Sequence, residues 1–204
     1  MMIVQISPRF TSEYLLDDSI EKKIDVHEDR IKGWLFDQAR FLLKNQYSGI
    51  AILQLALSYF EGYWMFIEGT DNGGSKDFFE KAFRDVFPNR VSEATIEGAA
   101  LQKALGQLPS DLYVEGRCGL FHDGMIRRKV FLGSRERSIT LDVDKKSGEI
   151  YRITIDPEKF LGDIEVHFQR YIQSVRNPIN KQLRGNFEAL WKLKYSPQII
   201  KVAS

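Results

Sequence analysis

Ser110-Asp111-Leu112-Tyr113-Val114-Glu115-Gly116-Arg117-Cys118-Gly119-Leu120-Phe121-His122-Asp123-Gly124 reads as one helix with a signal at each end. Ser110, directly after Pro109, offers a side-chain cap, and Asp111 and Glu115 sit near the positive N-terminal end. Gly124 offers a left-handed stop. Arg117 and His122 stand five residues apart on this helix, a permanent cation beside a group that titrates near neutral pH. Five residues of an ideal α-helix turn through about 140°. The pair is therefore expected to flank a groove, with the long arginine reaching across it.

Upstream, four helices are expected. Residues 26–45 place Ile31, Trp34, Leu35, Gln38, Phe41, Leu42 and Asn45 at three-and-four spacing. Residues 50–68 are apolar almost all round, which suits the middle of a bundle. Gln54, Ser58, Glu61 and Gly62 interrupt that stretch, so a buried helix is expected there rather than a membrane span. After the polar loop 69–74, Ser75 can cap a third helix carrying Phe78, Phe79, Ala82, Phe83 and Val86, which stops before Pro88. Ser92 can cap a fourth, holding Ile96, Leu101, Ala104 and Leu108, with Pro109 ending it.

Downstream the period changes. Ile139, Leu141 and Val143 alternate with polar residues, as do Tyr151, Ile153 and Ile155, across a polar turn containing Gly148. This is the pattern of a β-hairpin. A last helix is expected over 157–175, with Phe160, Leu161, Ile164, Phe168, Tyr171 and Ile172 in phase, and the tail from Asn177 either packs or trails. Residues 1–25 carry the weakest pattern, with one short strand expected at 3–6 and no firm period over 12–25. The expected fold is mainly α, a bundle of four to five helices with an appended hairpin and C-terminal helix. It divides into a bundle over 26–135, the appendage over 136–204 on the same domain, and an N-terminal extension over 1–25.

Composition suits a soluble globular protein: 43% hydrophobic and 28% charged residues in 204, with a net charge of +1. Such a balance gives no global pull toward nucleic acid or membrane, so any such surface must be local. The single Cys118 excludes an internal disulfide and suits a reducing cytosol. The first ten residues lack the basic start and apolar run of a secretory signal. A cytoplasmic protein without a membrane partner is expected.

Arg117-Cys118-Gly119-Leu120-Phe121-His122 resembles the Arg-(four to six residues)-His signature of HEPN domains, helical bundles common in prokaryotic toxin and defence systems. Its place after four expected helices agrees with that family, and the resemblance covers residues 26–128. It implies a homodimer in which the motif helices of both subunits face one cleft, and a metal-independent endoribonuclease. His122 would be the general base that draws the proton from a ribose 2′-hydroxyl. Arg117 would hold the scissile phosphate and stabilise the transition state. Products would be a 2′,3′-cyclic phosphate and a 5′-hydroxyl. A toxin or phage-defence setting, with a cognate antitoxin or other partner protein, is implied with it. Active members often carry asparagine after the arginine, where this chain has Cys118. Other members are non-catalytic dimeric scaffolds or nucleotide-binding modules, which is the alternative reading.

The remaining candidates support that site. Glu61, an acid in the most apolar helix, either needs a partner when buried, for which Arg117 is a candidate, or faces solvent on a partly exposed rim. Asp123 adjoins His122. Arg127, Arg128, Lys129, Arg135 and Arg137 set five positive charges against two negative ones in residues 123–137, which reads either as an RNA-binding edge or, more commonly, as a solvated charged loop. Cys118 is either a thiol activated by Arg117 or a small buried residue. His27, His122 and His167 show no metal-ligand spacing, and there is no phosphate-binding glycine loop, so neither a metal nor another cofactor is expected.

Overall fold

A computed structural model describes residues 3–88 and 98–200, and side chains as far as residue 195. The protein is mainly helical with one small sheet. Helix α1 (Ile20–Arg30) runs through a π-helical turn (Ile31–Phe36) into α2 (Asp37–Leu42). Then follow α3 (Gly49–Glu68), α4 (Ser75–Val86) and α5 (Ala99–Asp111). A π-helical segment (Leu112–Asp123) continues α5 without a break. Strands β1 (Val130–Leu132), β2 (Ile139–Val143) and β3 (Ile150–Ile155) lead to α6 (Pro157–Arg176) and α7 (Lys181–Ile200).

The apolar helix α3 occupies the middle, as its all-round hydrophobicity requires. Ile52, Leu53, Ala56, Leu57, Tyr59, Phe60, Tyr63 and Phe66 are buried against α2, α4, α6, α7 and the 112–123 segment. Among the described residues it is the one helix long and apolar enough to cross a membrane, and here its contacts are with other helices. Phe60 packs against the rings of Phe79, Phe83, Phe87 and Phe160, joining α3 to α4 and α6. Burying each such ring contributes roughly 1.5–3 kcal/mol relative to leaving it in water.

Two expectations about the first helix change. It begins at Ile20, within the stretch that lacks a clear period. Its buried face is not the one the spacing suggests: Trp34 and Phe41 are exposed, whereas His27, Phe36 and Ala39 are buried. The π-helical turn is the cause. It adds a residue to one turn and rotates everything after it relative to α1. Ahead of it, residues 3–6 form no strand, only one bridge between Gln5 and Thr11. Asp29 accepts from the backbone and side chain of Arg9, and Arg30 donates to Ile6 O, so the N-terminal segment is strapped to α1.

Helices α5 and 112–123 overturn two further expectations. Pro109 ends nothing: it lies inside α5, and Ser110 lies inside it as well, so Ser110 caps no helix. The expected cap Ser92 and the residue Ile96 fall outside the described residues. Ser75 is the first residue of α4 rather than its cap, which is Gly74. Gly124 does terminate the helix, with φ of 71°.

The expected hairpin is present. β2 and β3 pair antiparallel around Asp144, whose carboxylate accepts from the Lys146 and Ser147 amides. The basic run contributes an unexpected strand, β1, which pairs parallel to β3 and gives the order β1-β3-β2. Asp156 caps α6 by accepting from Lys159 N at 3.1 Å, with Pro157 at the first helical position. Helix 157–176 is not the last. The tail folds into α7, whose Phe187, Leu190 and Trp191 join the same core as the sheet residues Ile139, Leu141 and Ile153.

Gly119 sits where the chain turns back across its own helix. Met125 N donates to Gly119 O and Arg127 N to Glu115 O, which lays residues 125–127 against the helix. A β-carbon at position 119 would lie 2.5 Å from Met125 O and 3.0 Å from Arg127 Cγ. Gly119→Ala is expected to destabilise the fold by roughly 1–3 kcal/mol through this overlap. An unchanged urea midpoint in that variant would contradict the close approach.

Candidate active site

The 112–123 segment differs from an α-helix in a way that bears on Arg117 and His122. Its backbone hydrogen bonds run from residue i+5 to residue i, so residues five apart stand much closer to one face than they would on an α-helix. The expectation that the two side chains diverge by the α-helical angle is therefore corrected. A spacing of five sets them nearer to one face. The cause is tertiary: Gly116 and Gly119 are buried where the widened segment packs on α3 and on the returning residues 125–127.

Arg117 is held from three sides. Its Nε donates to Glu61 Oε1 at 2.6 Å and its Nη2 to Glu61 Oε2 at 3.2 Å, a fork across both carboxylate oxygens. Glu61 also accepts from Ser75 Oγ at 2.5 Å, and Ser75 Oγ accepts from Tyr113 OH at 3.1 Å. The guanidinium carbon lies 4.6 Å from the Phe121 ring centroid and 5.7 Å from that of Tyr113. These rings stand four residues before and after the arginine and act as bookends that fix its plane. The side chain is 21% exposed, and its Nη1 has no hydrogen-bond partner among the described residues. Glu61 thus positions a rigid cation that keeps one nitrogen for something else.

His122 is exposed and makes no hydrogen bond among the described residues. Asp123 turns to Arg127, which donates to it at 2.5 Å and holds its carboxyl below the usual carboxylate range. Cys118 is half-buried. Val114, Phe121 and Met125 leave apolar surface open around the histidine.

The basic run does not gather into one edge. Arg127 is paired with Asp123, and Lys129 with Asp111 at 3.2 Å. Arg135 uses its backbone, donating from N to Asp156 and accepting from Lys159. Arg137 lines a separate concavity with Arg40, Glu136, Lys159, Asp163 and Glu165. Arg128 and Arg135 are exposed and their guanidinium groups make no ion pair among the described residues, leaving these two members of the run open to a phosphate. Strand β1 explains the scatter, because it carries the chain away from the motif between Lys129 and Gly133.

Ser75, Tyr113 and Phe121 belong to the site and were not anticipated in it. The two rings had a signal, their spacing of four on either side of Arg117. Ser75 had none, since only the packing of α3 against α4 brings it to Glu61. A second polar cluster lies between α3, α4 and α6. Tyr63 OH donates to Asp85 at 2.5 Å, His167 Nε2 meets the same carboxylate at 3.1 Å, and Tyr59 OH meets His167 Nδ1 at 3.1 Å. Among the described residues no three His, Cys, Asp or Glu side chains converge to hold a metal ion. Compared with known protein families, with curated proteins and with solved structures, the chain finds no match.

Proposed function

We propose that the protein is a HEPN-like, metal-independent endoribonuclease that acts as a homodimer. The observation that carries this reading is the Glu61–Arg117 fork. It presents a fixed guanidinium with one unused nitrogen, and an exposed histidine stands five residues further along the same π-helical segment. In this reading His122 takes the proton of a ribose 2′-hydroxyl, and the resulting alkoxide attacks the adjacent phosphorus. The Arg117 Nη1 amine faces the charge that develops on the phosphoryl oxygens, in a site already rigid before substrate arrives. The P–O5′ bond breaks and the proton leaves with the 5′-hydroxyl, giving a 2′,3′-cyclic phosphate. Val114, Phe121 and Met125 supply apolar surface beside His122 for a second copy to cover, and Arg128 stands open for the RNA backbone. A toxin or phage-defence role with a cognate antitoxin belongs to the same proposal.

Two observations favour the alternative, a non-catalytic scaffold or nucleotide-binding module. Glu61 neutralises most of Arg117, and Cys118 supplies no amide to orient a phosphate. The deciding measurement uses a single-stranded RNA oligonucleotide in EDTA. The nuclease reading expects cleavage with cyclic-phosphate and 5′-hydroxyl ends, and none when the nucleotide 5′ to the cut carries 2′-deoxyribose. Intact RNA after long incubation, or cutting of the deoxy substrate, would replace it with the alternative.

A further inference from the structure

A cavity of about 500 Å³ opens between the π-helical turn, α3, α6 and α7, and shares no lining residue with the Arg117–His122 site. That volume suits a small organic ligand. The π-helical turn supplies Ile31, Trp34 and Leu35 to one wall, and widened turns of this kind recur at functional sites. The opposite wall is the Tyr59, Tyr63 and Phe66 side of α3 with Phe168 and Tyr171 of α6. These rings are themselves locked: Tyr63 by Asp85, and Tyr59 by His167. A rigid aromatic slot of this composition selects flat, unsaturated molecules over branched aliphatic ones.

Its electrostatics are one-sided. Among the described residues that line it, none is acidic, and Arg30 is the one permanent charge. Arg30 donates from Nε to Ile6 O and lies 4.5 Å from the Tyr195 ring centroid and 5.5 Å from that of Trp191, yet makes no ion pair among the described residues. A half-buried guanidinium among aromatic rings without a carboxylate is poorly compensated. Burial accordingly pushes it below the usual arginine range, against the pull of the Tyr195 hydroxyl. His27, beside it in the wall, is held neutral by its surroundings and adds no second cation. The Tyr171 hydroxyl is buried with no hydrogen-bond partner. Two polar groups in this wall region thus stand under-satisfied, a cation and a hydroxyl, and both can donate.

We infer that this cavity binds a small planar aromatic molecule carrying one negative charge, of which an aromatic carboxylate is the simplest form. Its ring lies against Ile31, Trp34 and Leu35, over the buried edge of the aromatic wall, and its carboxylate pairs with Arg30. Gly62 faces the opening, and a β-carbon there meets nothing within 4 Å, so a larger side chain at this position would fill the slot without displacing the fold.

The test is isothermal titration of the full chain with 2-naphthoate and with its uncharged counterpart 2-naphthalenemethanol. Binding of naphthoate about tenfold or more tighter than the alcohol is expected, since a charge-assisted pair is formed only by the acid. Arg30→Met should bring naphthoate down to the level of the alcohol. Gly62→Leu should remove both while leaving the Tm unchanged or higher, because leucine also favours the helix more than glycine. That second variant keeps the test sound should loss of Arg30 loosen the N-terminal strap. Failure of wild type to bind naphthoate at millimolar concentration, equal affinity for acid and alcohol, or undiminished binding in Gly62→Leu would each overturn the inference. RNA cleavage by Gly62→Leu is a separate readout, so failure here and failure of the nuclease reading are distinguishable.

Discussion

Replacing His122 by alanine is expected to lower RNA cleavage by roughly 10²- to 10⁴-fold, the range for loss of a general base. The same change should leave stability untouched. His122 is exposed and makes no hydrogen bond among the described residues, so its removal opens no cavity and leaves no buried group unpaired. This separation makes the experiment sharp: single-turnover cleavage and the urea midpoint are measured on the same two proteins. Cleavage retained within a few-fold would take His122 out of the chemistry. A midpoint that fell with activity would instead mean that the side chain is structural. Arg117 offers no such clean variant, because shortening it would strand the Glu61 carboxylate together with Ser75 and Tyr113.

The second large effect concerns pH and a different histidine. His27 is buried among the rings of Phe66, Phe168 and Phe187. Burial pushes its pKa down from the usual 6.5 to about 3, with Arg30 adding to the shift and Glu28 opposing it. In the unfolded chain the same imidazole takes a proton as pH drops below about 6.5. The folded chain resists until about pH 3, so the unfolded state binds more protons throughout that window. Its contribution to stability is therefore whole above pH 6.5 and is lost as pH falls, by about 1.4 kcal/mol per pH unit. From pH 7 to pH 5 the loss from this one group is roughly 2 kcal/mol. Urea unfolding at both pH values, on wild type and on His27→Leu, isolates it. The drop between pH 7 and pH 5 should be smaller in the variant by about that amount. Equal drops in both proteins would show that His27 accepts a proton in the folded state. Packing lost in the variant does not confuse the result, because only the difference between the two pH values is compared.

The two histidines also show what kind of residue a sequence can place. His122 lies in a stretch whose composition is unusual locally, and an Arg-and-His pair with a terminal glycine is visible without any structure. His27 sits in an ordinary amphipathic run, and nothing in its neighbours along the chain announces three phenylalanines. Two of those rings come from α6 and α7, far away in sequence.

The same division runs through the whole protein. Apolar period, glycine stops and alternating strands depend on neighbours within a few residues. They are enough to define α3, α4, α6, the β2–β3 hairpin and the stop at Gly124. Pairing of Glu61 with Arg117 was legible as one of two readings, since an acid in so apolar a helix either takes a cation or stands on an exposed rim. The π-helical segments were not legible, since their extra residue per turn is compensated by packing and not by composition. They rotate the buried face of the first helix, while α5 itself runs α-helical through Pro109 and Ser110, where local rules place an end and a beginning. They also bring Arg117 and His122 closer to one face of their helix. The sequence alone determined that an arginine and a histidine share this helix and that Glu61, if buried, needs a cation. Only the tertiary structure decided that the helix widens to bring the pair nearer one face, because close packing against α3 and the returning chain sets its turn where backbone propensity does not.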